Sequence, residues 1–211
     1  MSGTIGPSPR IIVGISGASG AAIGCRVVER LAERNAETHL VISEGARRTL
    51  IEEVDATASA RLEAMVTEVH DIGNVGASIA SGSFPVAGMI VAPCSMRSLA
   101  AIAHSLSDNL LVRAADVRLK ERQPLVLVAR EAPLHLGHLR AMTAVTEMGA
   151  VVMPPVPAFY LRPDSLEAVI DQIACRAIDL LKDRRTALIS AAVTGKVDVR
   201  SALQQQEASH A

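Results

Sequence analysis

Ile11-Ile12-Val13-Gly14-Ile15-Ser16-Gly17-Ala18-Ser19-Gly20 sets the reading of the whole chain. Five uncharged residues read as a buried strand, small residues break it, and an amphipathic stretch begins at Ala21. A helix N-terminus carries unpaired N–H groups and about half a positive charge, so a strand–loop–helix junction of this kind suits a phosphate. Gly and Ser let the backbone approach such an anion closely. The spacing is neither G-x-G-x-x-G nor a Walker loop ending in Gly-Lys-Ser/Thr. A plain tight strand-to-helix turn is the competing reading.

The pattern recurs along the chain. Strand-like apolar runs at 10–15, 38–43, 88–93, 124–129 and 150–154 alternate with helical patterns at 21–33, 45–53, 95–104, 109–120, 136–148 and 165–181. This alternation predicts parallel βαβ units in a doubly wound α/β sheet. Such sheets bind ligands beyond the carboxyl ends of their strands. Polar residues collect at those ends: Ser16 to Gly20, Ser43, Cys94-Ser95-Met96-Arg97-Ser98, Arg130-Glu131, and Tyr160 soon after the last strand. The final helix starts on the capping pair of Asp164-Ser165-Leu166-Glu167 and carries Arg176 at the edge of its apolar stripe. Residues 1–9 read as a disordered leader, 10–181 as one domain, and 182–211 as a tail with a short helix at 188–194.

Composition narrows the class. A chain of 211 residues, 49% hydrophobic, can bury a full core. A formal charge of −1 gives no general attraction to nucleic acid or anionic membrane. No apolar run approaches the ~20 residues of a membrane span. Cys25, Cys94 and Cys175 are far apart and odd in number, which fits a reducing, cytoplasmic setting without disulfides. There is one Tyr, two Phe and no Trp, and Phe84, Phe159 and Tyr160 all stand in loop-like contexts. Ligand contact and simple packing are both open for them.

Few residues can carry chemistry. His135 and His138 follow Glu131, but the spacing is not H-E-x-x-H and no third ligand is evident, so no metal site is expected. Cys94 directly precedes a helix, which would favour a thiolate nucleophile, yet a small packed residue fits the position better. Lys120, Arg130 and Arg176 lie near element ends rather than in charge runs and suit phosphate, Arg as a fork and Lys as a point charge. Glu131 is a candidate acid/base group.

The segments SGSF, APCSMRSLAAIAHSLSDNLLVRAADVRLKE, PLVLVAREAPLHLGHL and PPVPAFYLRP, with GISGASGA at the start, closely resemble the flavin prenyltransferases of the UbiX type. The likeness runs from about residue 10 to residue 181. It implies a flavodoxin-like, three-layer α/β/α fold and flavin mononucleotide (FMN) as cofactor. It implies metal-independent transfer of the dimethylallyl group of dimethylallyl monophosphate onto N5 and C6 of reduced FMN. The product, prenylated FMN, would serve a UbiD-type decarboxylase. By position, Gly17, Ala18 and Ser19 resemble the FMN-phosphate loop, with Ser19 also near N5. Ser43, Ser95, Met96, Arg97, Ser98 and Arg130 resemble further FMN contacts. Lys120, Arg130, Tyr160 and Arg176 resemble the holders of the dimethylallyl phosphate, and Glu131 the acidic group beside the flavin. A large homo-oligomer, up to a dodecamer, is implied. Ile23 departs from the aromatic or Leu that many members carry there.

Two other classes compete. One is an FMN-dependent cysteine-type decarboxylase of similar fold, for which His70 is the nearest catalytic histidine. The other is a non-catalytic flavin-delivery protein, against which the joint presence of Lys120, Glu131, Tyr160 and Arg176 argues.

Overall fold

Six parallel strands form one sheet in a computed structural model that describes residues 8–193. The chain runs β1 (Arg10–Ile15), α1 (Ala21–Ala32), β2 (Glu37–Ile42), α2 (Glu44–Glu53), α3 (Ala58–Met65), β3 (Glu68–His70), β4 (Gly88–Cys94), α4 (Met96–Ala103), α5 (Leu110–Lys120), β5 (Leu125–Ala129), α6 (Leu136–Glu147), β6 (Val151–Val152) and α7 (Leu166–Val193). Strand order is β3-β2-β1-β4-β5-β6. Without the short edge strand β3, this is the flavodoxin order, with its switch point between β1 and β4.

The strands' period of two divides the core. Ile11, Val13 and Ile15 of β1 pack with α1, α2, α3 and α7, whereas Ile12 packs with α4 and α5. Gly24 lets α1 lie close on the sheet: a Cβ there would stand 2.4 Å from the Ala92 carbonyl oxygen. Asp171 of α7 ties that helix to α1, accepting from Arg26 Nε at 2.7 Å and from Arg30 Nε at 2.6 Å. These bonds hold the Asp171 carboxyl down to about 2.

The five strands expected from sequence are present, and β3 and α3 are additions. Glu68-Val69-His70 is too short to show an alternating pattern. The last helix does not stop near residue 181 but continues to Val193. Residues 1–7 of the expected leader and 194–211 of the tail lie outside the described residues, while Pro9 already accepts the Glu37 N–H at 3.0 Å. Among the described residues, no helix is long and apolar enough to cross a membrane.

Candidate active site

The carboxyl ends of β1, β2, β4 and β5 bring the polar loops together. Ser16 leaves β1 and bridges the switch point: its hydroxyl accepts the Ser95 N–H at 2.7 Å and donates to the Pro93 carbonyl at 3.0 Å. Ser95 caps α4, accepting the Ser98 N–H at 3.3 Å, and its hydroxyl donates to Ser98 Oγ at 3.2 Å. Ser43 caps α2 by accepting from Ala46 N–H at 3.2 Å. Gly17 is needed where the first two loops touch, because a Cβ there would lie 2.8 Å from the Gly45 carbonyl carbon. Arg130 donates its backbone N–H to the Cys94 carbonyl at 3.1 Å, which fixes the β5 loop beside the β4 loop.

The α1 N-terminus behaves as the anion cradle its sequence announces, but the anion is a side chain. Glu53, the last residue of α2, accepts from Gly20 N–H at 2.7 Å and Ala21 N–H at 2.9 Å. Partial burial pushes its pKa up, but those two N–H bonds, the Ser19 hydroxyl and the Arg130 charge outweigh it and hold Glu53 below the usual carboxylate range. Glu53 does not stand out in the sequence, where it follows Arg47, Arg48 and Glu52 on a helix that looks like a solvated face. The one available signal was the loop itself, since a cradle of this kind attracts any carboxylate within reach.

A second group of residues forms a groove of about 330 Å³ between the loop after β6 and α7. Tyr160, 83% exposed, and Arg176 line it together with Val156, Ala158, Gln172 and Cys175. The structure therefore brings Tyr160 and Arg176 together in one groove.

Three expected site residues stand apart from this convergence in the single chain. Lys120 is not at the carboxyl edge: it ends α5, pairs with Glu121 at 3.0 Å, and lines a cavity of about 450 Å³ with Arg122, Glu147 and Gly149. In a parallel sheet a helix running back toward the next strand ends at the amino edge, so one chain cannot bring Lys120 to its own β1 loop. Glu131 is exposed and accepts the N–H of the adjacent Ala132 at 3.1 Å. Arg97 turns outward to pair with Asp108.

The remaining candidates resolve as packing. Cys94 is fully buried and its thiol is pushed up to about 12 by burial, so it is no nucleophile. Phe84 stands edge-on to His39 under the Arg10 guanidinium, at the amino end of β1 and away from the carboxyl ends of the strands. His70, the histidine of the cysteine-decarboxylase reading, is buried against His39. His135 caps α6 by accepting the Gly137 N–H at 3.0 Å.

The donor set fits a flavin mononucleotide. Capping serines on two strand-end loops and one guanidinium offer the hydrogen bonds and charge a phosphate needs, and small residues leave a flat approach for a ring.

Comparison with known proteins points the same way. The family described as Flavoprotein matches residues 4–180. The flavin prenyltransferase UbiX of Thauera aromatica is 57% identical over 170 residues, covering 81% of this chain and 87% of its own. The structure of AnUbiX (PadA1) in complex with FMN and dimethylallyl pyrophosphate is similar, with a TM-score of 0.81 and 48% identity over 83% of this chain and 93% of that one. A dodecameric FMN-dependent UbiX-like decarboxylase from Escherichia coli O157:H7 has a TM-score of 0.78 and 43% identity over 81% of this chain and 93% of that one.

Proposed function

The chain belongs to the flavoprotein family, and we infer that it is a flavin prenyltransferase that joins the dimethylallyl group of dimethylallyl monophosphate to N5 and C6 of reduced FMN. The observation that carries this reading is the convergence of Ser16, Ser19, Ser43, Ser95 and Arg130 around a carboxylate-loaded helix N-terminus at the sheet's switch point. Reduced FMN supplies the nucleophilic ring positions.

The protein's own groups divide the remaining work. Because Glu53 holds the α1 N-terminus, a phosphate there would meet a like charge. The phosphate end of FMN is better assigned to Ser43, the Ser95–Ser98 turn and Arg130, with Gly17, Ala18 and Ser19 against the ring. Glu53, ionised at neutral pH, then stands beside the ring to take the proton that C6 loses, with Ser19 as its hydrogen-bond partner. Arg176 and Tyr160 hold the leaving phosphate of the donor, and fixed cations offset the charge that develops as the C–O bond breaks. Glu131 is left as a reserve acid on a loop that ligand binding would have to reorder.

Lys120 joins the phosphate only if a second copy supplies it. A homo-oligomer is therefore part of the proposal. Its support is the apolar surface around the loops after β5 and β6, where Leu136, Val156, Phe159, Leu161 and Leu166 are all exposed. Delivery of prenylated FMN to a UbiD-type decarboxylase and a cytoplasmic setting complete the reading.

Anaerobic incubation with reduced FMN and dimethylallyl monophosphate tests it. The expected product is a flavin heavier by one C5 unit, and an unchanged flavin mass would overturn the assignment. Dimethylallyl pyrophosphate in a parallel reaction distinguishes the donors.

A further inference from the structure

His39 and His70 meet nitrogen to nitrogen at the outer edge of the sheet. His39 lies on β2 opposite Glu68 of β3, and His70 lies opposite Val41. Both rings are buried, at 3% and 6% exposure. His39 Nδ1 stands 2.9 Å from His70 Nε2. Glu68 faces the pair from solvent, 3.4 Å from His39 Nδ1 and 3.6 Å from His70 Nδ1. The other nitrogen of His39 lies 3.4 Å from Glu37, whose carboxylate is gripped by Arg10 at 2.6 Å.

Proton counting shows how the cluster can be bonded. A neutral imidazole carries one N–H. If His39 donates to Glu37 and His70 Nε2 donates to His39, Glu68 faces two lone pairs. If both rings carry the proton on Nδ1, the lone pair of His39 Nε2 points at Glu37. If both outer nitrogens are protonated, Glu37 and Glu68 are satisfied but two lone pairs converge on one point. The first of these arrangements makes both hydrogen bonds of the pair and leaves Glu68, 53% exposed, facing the two rings at ion-pair distance. With Glu37, Glu68 sets two carboxylates against the Arg10 guanidinium, an excess of one negative charge that favours a bound cation.

We propose that this cluster, whose three ligand atoms lie within 4.8 Å of one another, binds a divalent transition-metal ion of the zinc class through His39 Nδ1, His70 Nε2 and the Glu68 carboxylate, with water from the exposed side completing the shell. Two imidazoles and a carboxylate are a zinc-type donor set. Glu37 behind His39 is the outer carboxylate that orients a ligating histidine. Geometry permits it: with bonds of about 2.0–2.1 Å at a tetrahedral angle, ring centroids stand about 5.2 Å apart, and here they are 5.2 Å apart. Only a tilt of the rings is required, opening the nitrogen contact to about 3.4 Å. Burial disfavours the charged form of His70 and keeps its ring neutral, as a ligand must be. The ion would staple the three-residue edge strand β3 to β2 and take no part in prenyl transfer.

Chelator-stripped full-length protein titrated with Co²⁺, and then with competing Zn²⁺, tests the site through the visible d–d bands of cobalt. One ion per chain is expected. His70→Asn and Glu68→Gln should each weaken binding by at least about tenfold, and Glu37→Gln by about tenfold. A His135→Ala/His138→Ala double variant should bind as the parent does. Glu68 is 53% exposed, so its variant keeps the fold, and Zn²⁺ should raise the melting temperature of the parent but not of Glu68→Gln. Undiminished binding by His70→Asn and Glu68→Gln would overturn the proposal. So would a parent that binds no ion at micromolar metal.

Discussion

Glu53→Gln separates two placements of the flavin. The substitution keeps the side chain's shape and removes its charge at the point where Gly20 and Ala21 N–H groups converge. Two unit charges about 4 Å apart repel by about 4 kcal/mol at an effective dielectric of about 20. Solvent around the exposed Glu53 reduces this to about 1–2 kcal/mol, or about 5–30-fold in a binding constant. A phosphate on the α1 N-terminus would therefore bind more tightly in the variant by that factor. With the phosphate at Ser43, Ser95 and Arg130, the FMN dissociation constant should stay within about threefold of the parent's. Turnover should meanwhile fall by about 10²–10⁴, the usual contribution of a positioned acid/base group. Flavin fluorescence titration measures the first quantity and anaerobic mass spectrometry of the product the second. A variant that binds FMN ten times more tightly and turns over normally would refute both the placement and the role. Because two charge-assisted bonds become neutral ones, unfolding should be easier by only about 1 kcal/mol.

Lys120→Ala and Arg176→Ala should each be inactive alone, whereas subunits dissociated, mixed in equal amounts and reassembled should regain about one quarter of parent activity, since a quarter of randomly formed two-copy sites are intact. Absence of rescue in a reassembled oligomer would place both residues in one chain's site. Asp171→Asn should lower stability by about 1–2 kcal/mol and the melting temperature by about 3–6 °C. Because the folded Asp171 carboxyl is held at about 2 against an ordinary 3.8, its contribution is complete above pH 4 and lost as pH falls toward 2, so parent and variant should converge there in acid unfolding scans. Cys94 should resist alkylation in the native protein and react after denaturation; native labelling would contradict its burial. Gly24→Ala should destabilise by about 1–3 kcal/mol despite a helix-propensity gain of up to about 1, because the new methyl group meets the Ala92 carbonyl, and an unchanged melting temperature would show that α1 can lift away.

What the sequence made legible follows from period and punctuation. β1, β4 and β5 are largely apolar runs and β2 ends in one, each closed by Ser, Cys or Arg, and each lies where its run predicts. Their loops meet because a parallel sheet sends every carboxyl end to the same edge, so listing the residues after each strand amounts to listing a site. Ser43 and Ser95 stand at that edge for this reason, and their capping roles follow from their types. Glu53 breaks the rule: it comes from the C-terminal end of a helix and reaches the edge only because α2 folds back beside α1. The His39–His70 pair was hidden differently. Its members are 31 residues apart, and β3 is too short to announce the register that pairs them.

Lys120 shows where a single chain's topology stops being informative. Arg118, two residues earlier, is fully buried and donates to the Ser81 carbonyl at 2.8 Å, so it belongs to the frame. Lys120 points away from that frame, with its side chain 61% exposed and an adjacent glutamate as its partner. A cation in this position does nothing for the fold that many other residues would not do. Tyr160 and Arg176 are equally dispensable to the core and equally exposed, on the opposite side of β5 and β6. Three exposed phosphate-binding side chains, split between two edges of one sheet and bordered by exposed Leu, Val and Phe, make physical sense together if symmetry carries one edge to the other. The same contact would then bury the apolar surface and close the donor pocket. Subunit mixing therefore probes assembly and chemistry together, and a protein held monomeric by charges introduced at Leu136 and Val156 should keep FMN binding while losing prenyl transfer.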